Sequence, residues 1–416
     1  MSKPETVVVI GGGVIGASCA YYLNQAGCKV TIVDRAGFGA ACSLANCGFV
    51  SPSHVLPLAE PGAVSATLRA MLRPNAPFAI KPRFDPALWA WLLRFAWRCD
   101  HTTMMRDAAG IHALLASSRS LFDTLMKSEP FDCEWQTRGL LIAYRDTAAM
   151  DKFAETDHLL REHFKVPATR YDGDAVTELE PALNRGLAGG WFYPGDAHLR
   201  PDKLMASWRR VLEGHGVTIR EQCAVTGLVR ADGRARAAST AGGEISADAF
   251  VIAAGALTPT FAAELGCRVP IQPGKGYSIT LPRPSDCPNM PLIFPETRVA
   301  VTPFQNGLRL GSTMEFAGYD PTISPHRLAL LRDGAKPFLR CPTDGPAEEE
   351  WYGWRPMTYD SKPIIDTSPV MKNVMIAAGH NMLGVSTAPA TGKLVAEMLT
   401  GTTPHMDPTP YTVTRF

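Results

Sequence analysis

The chain has 416 residues, 46% of them hydrophobic and 19% charged, enough apolar material to core about two or three domains and too little charge for disorder. Lys and Arg number 41 against 40 Asp and Glu, a net of +1, so no accumulated basic surface points to a nucleic-acid partner. Ten Cys are too dilute for a disulfide scaffold. The closest pair, Cys42 and Cys47, has no answering His cluster, so no metal site is expected and the thiols read as mostly reduced, buried residues.

No run approaches the roughly 20 apolar residues of a membrane span, and residues 1–6 lack a signal-peptide layout. The expectation is a soluble enzyme on the cytoplasmic side.

Residues 7–10, Val-Val-Val-Ile, are a continuous apolar run suited to a strand buried on both faces. Gly11-Gly12-Gly13-Val14-Ile15-Gly16 follows at once with G-x-G-x-x-G spacing. Residues 17–26 then read as a helix stopped by Gly27, and 28–33 as a second strand ending at Asp34. In that order, Gly11 serves the tight turn, Gly13 lets a pyrophosphate reach the backbone and Gly16 lets helix and strand touch. The helix start offers free N–H groups to phosphate. Asp34 stands where an acid accepts hydrogen bonds from ribose hydroxyls, and its charge disfavours a 2′-phosphate, hence NADP.

This fingerprint does not by itself separate FAD from NAD. A single NAD domain continues with further βαβ units after the acid, whereas residues 35–48 are a small-residue loop able to pass close to a flat ring. Residues 86–98, Pro-Ala-Leu-Trp-Ala-Trp-Leu-Leu-Arg-Phe-Ala-Trp-Arg, carry three Trp. A core helix under the substrate domain is the simpler reading, and an interfacial helix suited to electron delivery to a membrane quinone is the alternative. Helices are read over 106–127 and 150–163, and a strand over 138–144. Strands follow at 217–220, 223–229 and 248–256, the last ending at a close backbone approach, then at 297–303, 308–314 and 374–380. A final helix spans 386–399. The dinucleotide domain is thus built from separated stretches.

These segments resemble the FAD-dependent D-amino-acid oxidase superfamily, most closely its bacterial D-amino-acid dehydrogenase branch, over nearly the whole chain. The resemblance rests on residues 11–34 and on Cys42-Ser43-Leu44-Ala45-Asn46-Cys47-Gly48-Phe49-Val50-Ser51-Pro52-Ser53-His54. It rests equally on Gly353-Trp354-Arg355-Pro356-Met357-Thr358-Tyr359-Asp360 and Gly379-His380-Asn381-Met382-Leu383-Gly384. It implies an α/β fold, with a Rossmann-like FAD-binding domain of discontinuous segments (1–54, 191–269 and 351–416) and an α+β substrate domain (55–190 and 270–350) with a mixed or antiparallel sheet.

The same resemblance implies a site. FAD would lie extended along Gly11, Gly13, Val14, Ile15 and Gly16, with Asp34 and Arg35 at the adenosine ribose and the Val225 backbone at adenine. Cys42, Ser43, Asn46 and Gly48 would meet the flavin or its chain, and Ala254 and Gly255 complete the cofactor set. Gly379, Asn381, Met382, Leu383 and Gly384 would sit by the pyrimidine side, where a helix N-terminus favours the negative charge of reduced flavin. Arg355 matches the carboxylate-binding arginine, its fork suited to a bidentate grip. Tyr277 and Lys275 resemble substrate-side groups, although packing accounts for them equally well. His380 is either a catalytic group or a backbone hydrogen-bonder.

The activity implied is oxidative deamination of a D-amino acid, D-proline and hydroxy-D-proline included, by hydride transfer from Cα to flavin N5. The imino acid yields a 2-oxo acid, and electrons pass to a quinone or another acceptor; peripheral membrane contact goes with the interfacial alternative for residues 86–98. No strong protein base is required. The alternatives are an O₂-using oxidase of L-amino acids, glycine or sarcosine, an NAD-dependent dehydrogenase, and a non-catalytic flavin-binding subunit.

Overall fold

Val7, Val8, Val9 and Ile10 are all buried because their strand, Thr6–Ile10, runs through the middle of a sheet covered on both faces. The structure, a computed structural model, describes residues 3–71, 78–81 and 83–416; Met1 and Ser2, part of the stretch read above for a signal peptide, lie outside the described residues. Its neighbours are Lys29–Val33 and Ala249–Ile252, both parallel, and the sheet continues to Thr218–Arg220 on one side. On the other side come Val374–Ala378, parallel, and Ile364–Thr367, antiparallel. Strands from both ends and the middle of the chain therefore share one sheet, as the discontinuous reading requires.

Alternation along the first strand divides its covering layers. Val7 and Val9 join a core with the helices Val14–Gln25, Pro201–Gly214 and Gly384–Thr400. Val8 and Ile10 join a second core under the antiparallel sheet Val225–Ala231, Arg234–Thr240 and Gly243–Ser246.

The second lobe is a mixed sheet of nine strands among the described residues. Its edge runs Glu349–Met357, Gln272–Pro282, Gly307–Phe316, Val299–Pro303, all antiparallel. One face is apolar: Tyr277, Ile279 and Leu281, Leu308 and Leu310, Val299 and Val301 pack with Leu328 and Leu331 of the helix Pro325–Ala335. The other face carries Ser278, Thr280, Arg309 and Thr302, also buried. A buried polar sheet face needs partners, and they come from the first lobe.

The structure refines three expectations. The boundaries at 191 and 351 cut through Gly189–Tyr193 and Glu349–Met357, both strands of the second sheet. The helix His101–Ser128 sends Leu114, Phe122 and Leu125 into the core of the first lobe. The aromatic helix Pro86–Trp97 is not a plain core helix. Leu88, Trp91 and Phe95 pack on Phe316, Met357 and Tyr359, while Trp89, Leu93 and Trp97 are exposed.

Candidate active site

The first lobe presents an open cradle at the start of the helix Val14–Gln25. Gly11, at φ +114°, has no room for a Cβ against the Ala253 carbonyl, and a Cβ on Gly16 would overlap the Gly11 carbonyl. Both glycines serve close approach. Gly13 is different: its Cβ would meet only the Ser43 hydroxyl, at 3.2 Å, so its front is clear. The helix has no side-chain cap bond from Gly13 and no acid in its first turn. Val14 N–H donates to Ser43 Oγ at 2.9 Å, and among the described residues the N–H groups of Gly13 and Ile15 take no acceptor, as first-turn donors do until a ligand arrives.

Asp34 closes the cradle. Its Oδ2 accepts from Gly12 N–H at 2.7 Å and its Oδ1 from Ala36 N–H at 2.8 Å. Each oxygen keeps a second lone pair for a ribose hydroxyl. Arg35 is exposed next to it. The Asp34 carbonyl accepts from Cys223 N–H at 2.7 Å, which brings the start of the Val225–Ala231 strand alongside. Ala254 and Gly255 follow the neighbouring strand, with Gly255 at φ +55°. Phosphate donors, open glycine and terminal acid together fit an extended FAD.

The small-residue loop is folded by its own side chains. Asn46 accepts from Gly48 N–H at 2.8 Å and donates to the carbonyls of Ser43 and Cys42 at 3.2 and 3.3 Å. Asn46 therefore shapes the loop, and Ser43 caps the helix. A Cβ on Gly48 would overlap the Leu199 carbonyl. Burial pushes the Cys42 thiol up to about 11, against the pull of Arg355, and raises Cys47 likewise.

Arg355 stands on the polar sheet face beside these thiols. It donates to the Thr313 carbonyl at 2.7 Å and the Ser312 carbonyl at 3.4 Å. Those residues form an irregularity between Lys275↔Glu315 and Tyr277↔Ser312, with Ser312 at φ +123° and Thr313 at φ +49°, a costly backbone held by its surroundings. Thr313 Oγ1 is buried without a partner among the described residues. No carboxylate among them pairs with Arg355, whose pKa burial lowers from the ordinary value, with only Cys42 and Cys47 opposing. A half-buried guanidinium with no carboxylate among the described residues leaves N–H groups to offer an anion.

Two of the residues expected beside Arg355 lie elsewhere. The strands Gln272–Pro282 and Glu349–Met357 pair Gly274 with Arg355, Gly276 with Gly353, Lys275 with Trp354 and Tyr277 with Tyr352. Directly opposed residues share a face, so Lys275 and Tyr277 project from the side opposite Arg355. Tyr277 packs under the Pro325–Ala335 helix and donates to Glu315 Oε2 at 2.9 Å. Lys275 lies 4.9 Å from the Tyr352 ring centre and donates to the Thr322 carbonyl. The two-residue period of a strand separates them from the site.

His380 lies on the turn before the final helix. It is buried, its Nε2 lies 3.0 Å from Thr391 Oγ1, and burial lowers its pKa to about 3. A neutral ring bonded to the final helix positions the turn and is no proton carrier near neutrality. Asn381, at φ +52°, accepts from Thr358 N–H at 3.0 Å and donates to the Gly379 carbonyl at 2.8 Å. Its own N–H donates to the Pro356 carbonyl at 3.1 Å, next to Arg355. Met382 is half exposed, and Leu383 and Gly384 open the helix Gly384–Thr400 without a side-chain cap. Sequence reading did not single out Ser278, Thr302, Arg309 and Thr313; for Ser278 and Arg309 the alternation with buried Ile and Leu was the available signal.

A family model described as FAD dependent oxidoreductase matches residues 6–398. The chain is 33% identical over 405 residues to a D-amino acid dehydrogenase of Paramagnetospirillum magneticum, covering 95% of each chain. To the D-amino acid dehydrogenase of Methylobacterium radiotolerans it is 34% identical over 414 residues, covering 96% of this chain and 97% of that one. Among solved structures, glycine oxidase from Geobacillus kaustophilus is 21% identical with a TM-score of 0.79 over 100% of both chains, a likeness of fold.

Proposed function

The chain belongs to the FAD-dependent oxidoreductase family, and on that premise we propose that it is a dehydrogenase oxidising the Cα–N bond of a D-amino acid. The observation that carries this reading is Arg355, a half-buried guanidinium on a polar face with no carboxylate partner among the described residues. A substrate carboxylate is the anion it lacks, and curated relatives named D-amino acid dehydrogenase span nearly the full chain.

FAD, when bound, supplies the two-electron acceptor. Gly13, Ile15 and Asp34 would hold its phosphates and ribose, and the turn 379–384 its ring. Arg355 fixes one end of the substrate and so sets the direction of its Cα–H. No base is called for: His380 is neutral, and Lys275 and Tyr277 face away. Orientation carries the rate.

The electron acceptor is read from the aromatic helix. Trp89, Leu93 and Trp97 follow one another at helical spacing on its exposed side, with exposed Phe84 just before it. This surface suits peripheral contact with a bilayer holding a quinone. Co-sedimentation with anionic liposomes should fall when Trp89→Ser and Trp97→Ser are combined; Trp91, being buried, is no part of this test. Unchanged partitioning would remove the membrane reading.

The functional test is anaerobic mixing with D- and L-amino acids, D-proline and hydroxy-D-proline among them, while flavin absorbance is followed. Bleaching by D-isomers, reversed by a quinone faster than by oxygen, is the expected result. Bleaching by L-isomers, glycine or sarcosine, with rapid reoxidation in air, would favour the oxidase alternative.

A further inference from the structure

Three consecutive carbonyls of the small-residue loop are each held by a side chain of the second lobe. Ser278 Oγ donates to the Ala45 carbonyl at 2.8 Å, Arg309 Nη1 to that of Asn46 at 3.0 Å and Thr302 Oγ1 to that of Cys47 at 2.6 Å. The donors sit on three different strands, yet Thr302 opposes Arg309 and Arg309 opposes Thr280, so they form one cross-strand patch on the polar face.

Arg309 is the centre of the patch. Fully buried, it also donates to Thr280 Oγ1 at 3.0 Å and to Glu349 Oε2 at 2.8 Å, and its guanidinium lies 5.1 Å from the Phe304 ring centre. Unlike Arg355, it has its carboxylate. Glu349 and Arg355 belong to one strand, six residues apart, and so share its face. The sheet that carries Arg355 thus also holds the loop beside it.

Resting on the FAD reading above, we infer that Ser278, Thr302 and Arg309 are positioning residues. They fix the flavin-side loop against the strand of Arg355, so that the distance between cofactor and substrate anchor is set by directed hydrogen bonds between the lobes rather than by apolar packing alone. Asn46 folds the loop within itself, and its seat against the sheet must be rigid as well. The three donated hydrogen bonds supply that rigidity.

The test compares the flavoprotein with Arg309→Met and with the double variant Ser278→Ala plus Thr302→Val. FAD should stay bound, because the cradle at Gly13 and Asp34 is untouched. The visible circular dichroism of the bound flavin should change, and kcat should fall about tenfold. The Kd of propionate, a simple carboxylate probe for Arg355, should stay within about twofold of the parent. Parent-like dichroism and kcat in both variants would overturn the inference. Should Arg309→Met fail to fold, the double variant decides alone, since it leaves no buried charge unpaired. A parent protein that holds no flavin would instead overturn the functional reading.

Discussion

Gly276 lies directly against the guanidinium of Arg355: a Cβ built on it would overlap Cζ. The glycine is paired with Gly353 and stands at the irregularity between Lys275↔Glu315 and Tyr277↔Ser312, without a positive φ, so its lack of a side chain makes room for the arginine. Gly276→Ala should therefore displace Arg355 while the sheet still forms. We expect kcat/KM to fall about a hundredfold, approaching Arg355→Leu, a loss of about 3 kcal/mol, with FAD content at the parent level. Steady-state kinetics on the best D-amino acid check this, and parent-like values for Gly276→Ala would show that Arg355 does not hold the substrate.

Gly13→Val should abolish FAD retention without unfolding the protein. Gly13 has φ −77° and ψ −179°, extended backbone that valine adopts readily. The added methyl groups would occupy the clear space over the helix start. Gly11 and Gly16 do not allow this separation, because a Cβ at either strikes backbone. Flavin absorbance and thermal melting of the purified variant give the answer.

His380→Gln should leave the pH profile of kcat/KM in place. A ring whose pKa burial has lowered from 6.5 to about 3 does not change charge near neutrality. Its linkage runs the other way: the unfolded chain binds the proton first, so the stability it contributes is present above about pH 6.5 and is lost as pH falls towards 3. Melting between pH 4 and 7 should thus be less acid-sensitive in the variant. A limb of the rate profile that disappears with His380→Gln would restore a catalytic role.

Asp196 shows the opposite sign. Burial raises its pKa from 3.8 to about 7, partly offset by the Ser53 hydroxyl at 2.6 Å. The folded chain binds the proton more tightly, so stability is lost as pH rises from about 4 through 7, by up to about 1.4 kcal/mol per pH unit. Asp196→Asn should remove that slope and be more stable than the parent at pH 8. Denaturant melts at three pH values measure it, and parallel curves would refute it.

The dinucleotide lobe was legible from sequence because its signals are local. An apolar run, glycines at set spacing, a helix and a terminal acid occupy residues 7–34, and each turn or close approach is made by neighbours in the chain. Arg355 was legible only through its motif. What surrounds it was not. That Lys275 and Tyr277 project away from it follows from strand register, a choice made between segments about 80 residues apart, where one step of slippage exchanges the faces. The hold of Ser278, Thr302 and Arg309 on the loop joins residues more than 200 positions away. Such contacts leave no spacing to read, because the chain between them is free to take many paths, and only the packed sheet selects one.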